Sequence, residues 1–490
     1  MTAPDATARQ LDRSLASGLA WTGLTKWAAQ LLSWASTLIV ARLLTPLDYG
    51  VMGMAMVYLG LVQLVSEFGL GAALIQRRDM EASQVARLGG LSILIGLGLF
   101  GLSAALAPSI AGFFGEPKVR AVVLVLAGMF VVTSLQVVPG GLLARDLAFR
   151  RLAFIEATEA ITQTVVTLVL AIAGARYWAL VLGGVVAKTL STLLLILARP
   201  HRVAWPRELA ALRGALVFGW RVVLSRLTWY LYSNSDFAII GRLLGTGPVG
   251  AYTFGWTIAS IPVDKVTGVL GRVIMPVLSA VQHDRAAVAR YLVLLSEGLT
   301  LLVLPASLGL TLVAPDFVAV VLGPQWLASI VPLQALSAHV TVRCLNSLYS
   351  QALLALDETR QSVRVGVVQL LVMPATFLYA VQHWGINGVA FAWLIVHPAI
   401  TIPSLALYTF RRADLSVARL LRALWPAISS TLAMAAVVLA LRASLGASPA
   451  PLRLAAGVSA GALTYAGALL LFHRSRLQEL AAAARALRRG

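Results

Sequence analysis

The chain has 490 residues, 59% of them hydrophobic and 12% charged, with a mean hydropathy of +0.85. A soluble domain carries about 25% charged residues, so a water-soluble enzyme built on one large core is excluded. A disordered chain is excluded as well, and an integral membrane protein is the class that remains.

The 39 basic and 20 acidic residues leave a net charge of +19. In a polytopic protein that excess belongs to cytoplasmic loops rather than to a nucleic-acid surface, so no nucleic-acid partner is expected. The single cysteine, Cys344, makes neither an internal disulfide nor a cysteine metal site. The six histidines follow no HExxH or paired-ligand spacing, and no metal or cofactor is expected. Asp5 and Asp12 interrupt the basic start of the chain. The apolar stretch behind them is too long for a cleavable signal.

A spanning helix needs about 20 apolar residues. In chain order, apolar segments fall at 16–41, 49–75, 88–110, 119–143, 152–174, 177–198, 213–243, 249–277, 291–314, 326–350, 362–382, 384–409, 420–442 and 452–473. This predicts an all-α polytopic protein with 14 transmembrane helices. The positive-inside rule tests the count. With both termini on the cytoplasmic side, 25 Lys and Arg fall in inside segments, seven in outside loops and seven within spans. A miscounted helix would scramble that alternation downstream.

The chain also repeats itself. IVARLLTPLDYG at 39–50 matches IIGRLLGTGPVG at 239–250, each joining the first span of a six-span block to the second. Two weaker echoes pair Tyr177-Trp178 with His383-Trp384, each expected to open a sixth span, and LLARD at 142–146 with LLALD at 353–357. Spans 1–6 (residues 1–205) and 7–12 (206–412) therefore read as parallel duplicated halves. Spans 13–14 and a basic tail occupy 413–490. Such repeats place a substrate path at their interface. The loops hold no inserted soluble domain and no GxxxxGK[ST] motif, so uphill transport would draw on an ion gradient or on consumption of the product.

Ionisable groups inside spans are costly and face a bundle interior or a cavity. Span 1 aligns Lys26, Gln30, Ser33 and Thr37 on one helical stripe. The stripe lines a cavity, or it makes a small-polar helix contact with Lys26 snorkelling to the headgroups. Span 7 aligns Ser225, Trp229, Tyr232 and Asp236, with Arg226, Tyr230 and Ser233 beside them. That face lines a cavity or closes an internal Arg–Asp network. Span 8 sets Asp264 and Lys265 after Pro262, and Lys265 shares a face with Arg272. Proline opens the helix ladder, which suits a polar site, although Asp264 and Lys265 could neutralise each other.

Glu156 and Glu159 stack with Gln163 and Thr167 in the first turns of span 5, where acids suit the helix dipole. Glu67, in span 2 beside Gly69 and Gly71, is either a proton or cation partner or a structural carboxylate. Glu297 and Arg343 are single charges expected to be structural, and Lys188 has no readable partner. The sum is a cation-rich interior. Guanidinium and ammonium groups suit phosphate oxygens, and Trp21, Trp27, Trp34, Trp229 and Trp256 are candidates to stack on sugar rings.

ARLLTPLDYGVMGMA (41–55) and EFGLGAALIQRRDM (67–80) resemble the start of the polysaccharide-exporter branch of the MOP superfamily, the Wzx-type oligosaccharide flippases close to the WzxC-like subgroup. LLARDLAFRRLAFIE (142–156) and NSDFAIIGRLLGTGPVGAYTFGWTIASIP (234–262) resemble the same family. The resemblance covers most of residues 14–410. It implies a V-shaped fold of two pseudo-symmetric six-helix lobes with two further C-terminal helices. It implies flipping of polyprenyl-diphosphate-linked oligosaccharide repeat units across the bacterial inner membrane, with a polysaccharide polymerase and chain-length machinery as further partners. Arg42, Asp48 and Gly50 resemble loop-shaping positions of the family, and Asp236 matches a recurrent family aspartate.

The expected site joins two sets of residues. Lys26, Arg221, Arg226, Lys265 and Arg272 would bind the diphosphate or acidic sugars. Glu67, Asp236 and Asp264 would balance that charge and couple to an ion. The alternatives are a lipid II-type or MATE-like small-molecule exporter, and a membrane polysaccharide polymerase or ligase. A drug exporter would favour an acidic cavity, and a polymerase or ligase needs a sizeable outside loop that this chain lacks.

Overall fold

The computed structural model describes the chain from Trp34 to Leu487, apart from residues 67–73, 75–79, 207, 208, 357, 358 and 447. The side chains of 65, 66, 209–226, 262–273, 275, 276, 354, 359, 362, 405–407, 412, 413 and 481–487 also lie outside the described residues. The described chain is helical. The elements are α1 (Trp34–Leu43), α2 (Pro46–Ser66), α3 (Ala82–Phe114), α4 (Lys118–Arg145), α5 (Phe149–Ile172), α6 (Tyr177–Ala198), α7 (Leu209–Leu244), α8 (Thr246–Ala280), α9 (Arg285–Phe317), α10 (Ile330–Ala355), α11 (Thr359–Thr401), α12 (Leu407–Ala413), α13 (Val417–Ser444), α14 (Ala450–Phe472) and α15 (Arg474–Leu487). Among the described residues, nine helical stretches are long and apolar enough to cross a membrane. A helix is obligatory there, because hydrocarbon offers the backbone no other hydrogen-bond partner.

Local chemistry sets the helix ends. Glu81 and Gln84 form a capping box at the start of α3, and Gly115 closes that helix at φ 68°. Asp284 caps α9 by accepting from Ala287 N at 3.0 Å, and Ser416 caps α13 by accepting from Arg419 N. At the head of α2, Asp48 accepts from Thr45 N at 3.0 Å and Thr45 Oγ1 at 2.8 Å. Its other oxygen accepts from Tyr177 N at 3.1 Å. Asp48 thus ties the head of α2 to the head of α6, which is the loop-shaping role that the resemblance implied for it.

The helices divide into two compact units, Met1–Leu227 and Thr228–Gly490. In the first unit α3 packs on α4 and α5 on α6. Gly183 lets α5 and α6 approach closely, since a Cβ there would sit 2.0 Å from Thr167 Oγ1.

In the second unit α9 is the common strut, packed by α8, α10, α13 and α14. It carries two buried acids. Glu297 is fully buried and is gripped by Arg476 of α15 through Nε at 2.8 Å and Nη2 at 2.7 Å. Asp316, also buried, meets Arg453 of α14 at 2.8 Å and Arg442 of α13 at 3.5 Å. The two acids are 19 positions apart, about 28 Å along a helix, which is the thickness of the hydrocarbon layer. The Asp316 end of α9 is therefore tied to α13 and α14, and the Glu297 end to α15. Glu297 is structural, as expected.

Two expectations change. Lys188 has a partner: its Nζ lies 3.1 Å from Glu159 Oε1. Glu159 is therefore committed to an interhelical pair, as well as lying in the early turns of α5. The second change concerns His383-Trp384. These residues end the first arm of α11, and the break falls at Gly385, with φ 59° and ψ −145°. Arg176, just before α6, has φ 51° and ψ −136°. The matching backbone conformations make Arg176 and Gly385 the corresponding positions, so His383-Trp384 close an arm instead of opening one. LLARD spans the end of α4 at Arg145, and residues 353–355 of LLALD lie at the end of α10.

Candidate functional site

Of the expected site residues, Asp236 is the one whose side chain is described. Lys26 and Glu67 lie outside the described residues. Arg221 and Arg226 fall on α7, and Asp264, Lys265 and Arg272 on α8, with their side chains outside the described residues.

Asp236 sits on α7 with no exposed surface. Its carboxylate accepts from Tyr252 Oη of α8 at 2.7 Å, from Trp393 Nε1 in the second arm of α11 at 2.8 Å, and from Phe237 N at 2.8 Å. These three partners are neutral donors. The span-7 stripe is split: Tyr232 and Asp236 are buried, whereas Trp229 is 56% exposed.

Trp393 is the hub of a larger buried group. Its ring packs against Trp256 at 5.3 Å, Phe377 at 5.4 Å, His339 at 5.5 Å and His397 at 5.1 Å. His339 Nε2 of α10 lies 3.1 Å from His397 Nδ1 of α11, so one ring donates and the other accepts. Gln369, on the first arm of α11, donates to Thr401 Oγ1 at 2.9 Å and lies 3.4 Å from His397 Nε2. One turn beyond His339, Arg343 donates to Ser260 Oγ at 2.9 Å, with its guanidinium 5.1 Å from the Trp256 ring centroid. Arg343 thus belongs to a polar belt from four helices. His339, His397 and Gln369 are each at most 3% exposed, so these groups were placed in an apolar bundle and supplied with partners.

Sequence reasoning missed His339, Gln369, Trp393 and His397. A signal existed: His339 and Arg343, Trp393 and His397, and His397 and Thr401 are each four residues apart, hence on one helix face. Nothing in the spacing joined α10 to α11.

The first unit holds a second polar place. Gln136 of α4 donates to Ser191 Oγ at 3.1 Å and Thr192 Oγ1 at 2.5 Å on α6. Beside them a cavity of about 290 Å³ is lined by Gln63, Ser92, Thr133, Ser134, Gln136 and Lys188. Such a cavity can hydrogen-bond hydroxyl-rich or anionic groups, and Lys188 gives it a cation held in place by Glu159. Among the described residues no cluster of His, Cys, Asp and Glu has the makings of a metal site.

Comparison with known proteins follows this architecture. The chain is 24% identical over 399 residues to the lipopolysaccharide biosynthesis protein WzxC of Escherichia coli, covering 79% of each chain. It is 25% identical over 396 residues to the teichuronic acid biosynthesis protein TuaB of Bacillus subtilis, covering 79% of this chain and 80% of that one. It is 26% identical over 493 residues to the succinoglycan biosynthesis transport protein ExoT of Rhizobium meliloti, covering 97% and 96%. Among solved structures, the lipid II flippase MurJ in an inward closed conformation superposes with a TM-score of 0.73 at 14% identity, over 94% of this chain and all of that one. An inward-facing MATE family transporter of the MOP superfamily gives 0.65 at 16% identity, over 79% and 94%. These likenesses establish the fold. Residues 39–331 match the family described as polysaccharide biosynthesis protein, and the chain, a multi-pass membrane protein of the polysaccharide-exporter branch, belongs to that family.

Proposed function

We propose that this protein flips a polyprenyl-diphosphate-linked oligosaccharide from the cytoplasmic to the periplasmic leaflet of the bacterial inner membrane by alternating access, acting as a carrier and not as an enzyme. The observation that carries the reading is the family match over residues 39–331. It falls on a chain whose apolar helices bury hydrogen-bonding groups where a purely structural bundle would place hydrocarbon. The names of the relatives, which include a transport protein for succinoglycan, support a sugar polymer as the product served.

In this reading the chain crosses the membrane 14 times with both termini cytoplasmic. Its halves are residues 1–205 and 206–412, followed by two further spans and the basic tail at 413–490. Lys26, Arg221, Arg226, Lys265 and Arg272 bind the diphosphate or acidic sugars. Glu67, Asp236 and Asp264 offset that charge when the substrate leaves and couple the cycle to an ion. A polymerase and chain-length machinery consume the product.

The test is Arg226→Ala combined with Lys265→Ala in the native host. Surface polysaccharide should be lost while the protein remains at wild-type abundance in the membrane fraction. Unchanged export would remove the site assignment. Export lost with lipid-linked intermediate held on the cytoplasmic leaflet separates a flipping defect from a synthesis defect.

A further inference from the structure

The second unit contains a groove of about 640 Å³ lined by Arg290 and Tyr291 of α9, Arg419 and Arg422 of α13, and Arg476 and Glu479 of α15. Four guanidinium groups face one carboxylate. Arg476 is already engaged by Glu297 and Glu479. Arg419 and Arg422 are exposed and make no ion pair with a described acid, while Arg290 lies over the Tyr291 ring at 5.0 Å. Converging guanidinium groups match phosphate oxygens in forked, bidentate geometry. The charge-offset role assigned to Asp236 has no part in this groove, which sits at the Glu297 end of α9.

The neighbouring surface of α13 indicates which phosphate. Val417, Leu420, Leu421 and Leu424, interleaved with Arg419 and Arg422, line an apolar cavity of about 440 Å³ together with Tyr349 and Phe410. Trp425, one turn beyond Arg422, is 56% exposed and Leu421 is 54% exposed. An exposed tryptophan beside arginines at a helix start is the composition of a membrane–water boundary. The same two turns therefore present cations on one side and a hydrocarbon-lined hollow on the other.

We propose that this groove is a binding site for an anionic phospholipid of the cytoplasmic leaflet, with the phosphate on Arg290, Arg419 and Arg422 and acyl chain along α13. Basic pockets between helices on the cytoplasmic side bind such headgroups. The site lies where α9, α13 and α15 meet, so the lipid would brace the same joint as the Glu297–Arg476 pair. The assignment to the cytoplasmic leaflet rests on the topology of the proposed function, but the proposal does not depend on which substrate is carried.

The test titrates the full-length protein in neutral detergent with phosphatidylglycerol, followed by native mass spectrometry. Parallel titrations use phosphatidylcholine and inorganic phosphate. Phosphatidylglycerol should bind in preference to both, and the binding should weaken with salt. Each Arg→Gln change at 290, 419 or 422 should weaken it about fivefold, and the triple variant on the order of 100-fold. Arg120→Gln, an exposed arginine of the other unit, should leave it unchanged. These three arginines are exposed, so the variants should fold, and an unaltered melting curve without lipid checks this. Equal binding of phosphatidylcholine, equal affinity for inorganic phosphate, or wild-type affinity in the triple variant would each overturn the proposal.

Discussion

Trp393 donates its indole N–H to Asp236 at 2.8 Å, across 157 positions of sequence. This bond joins α7 to the second arm of α11. It fixes the carboxylate at the edge of an aromatic and histidine cluster, and both residues are almost wholly buried.

Trp393→Phe keeps most of the ring packing and removes one of the three donors to Asp236. A buried acceptor that loses a donor costs about 1–3 kcal/mol. The variant should therefore melt at a lower temperature than the wild type in detergent. Asp236→Asn, which retains an acceptor oxygen for one donor, should be less harmful to folding than Asp236→Leu. If Trp393→Phe melts with the wild type, the bond contributes nothing.

The two acids of α9 should respond differently to loss of an arginine. Glu297 has no exposed side-chain surface, and Arg476 is 39% exposed. Removing one partner of a buried pair costs about 3–5 kcal/mol, and the exposure of Arg476 places Arg476→Ala at or below the low end. Replacing both residues with leucine should recover most of that loss. Asp316 has two arginines, so Arg442→Ala and Arg453→Ala should each be mild and their combination worse than the sum of the two. A double-mutant cycle on melting temperature reads both pairs, and strict additivity at Asp316 would count against shared pairing.

His201 lies in the segment after α6, outside the spans. Burial lowers its pKa below the usual 6.5, partly offset by a backbone hydrogen bond to Arg199. Its Nδ1 is buried and has no hydrogen-bond partner among the described residues. The folded state therefore binds this proton less readily than the unfolded state. Its contribution is intact above about pH 6.5 and is lost as pH falls through the lowered folded value. His201→Asn should flatten the acid limb of the melting temperature against pH. An equally steep limb in the variant would show that other groups cause it.

That segment is held against α3 by Ala204 N donating to Ala86 O at 3.0 Å. A Cβ at Gly90 would lie 2.0 Å from Ala204 O, a distance that backbone atoms cannot tolerate. Gly90→Ala should cost about 1–3 kcal/mol and open the 200–206 segment to proteolysis. Unchanged cleavage there would mean that the segment shifts freely.

The sequence by itself determined the class of protein, the approximate positions of the described helices and the places where charge interrupts them. Those properties are local: hydrocarbon length, helical period and arginine distribution are written residue by residue. It also singled out Asp236, and a family resemblance marked Asp48 as shaping a loop. Only the tertiary structure decided who meets whom. His339 and His397 lie 58 positions apart and Lys188 and Glu159 29 apart, and each pair forms because packing turns two helix faces toward each other. Gly385 makes the same point for the backbone: the helix breaks where a positive φ puts it, a torsion that the aromatic echo at His383-Trp384 does not report. The groove of Arg290, Arg419 and Arg422 likewise exists only because α9 and α13 pack side by side, bringing together charges that the sequence distributes over two helices.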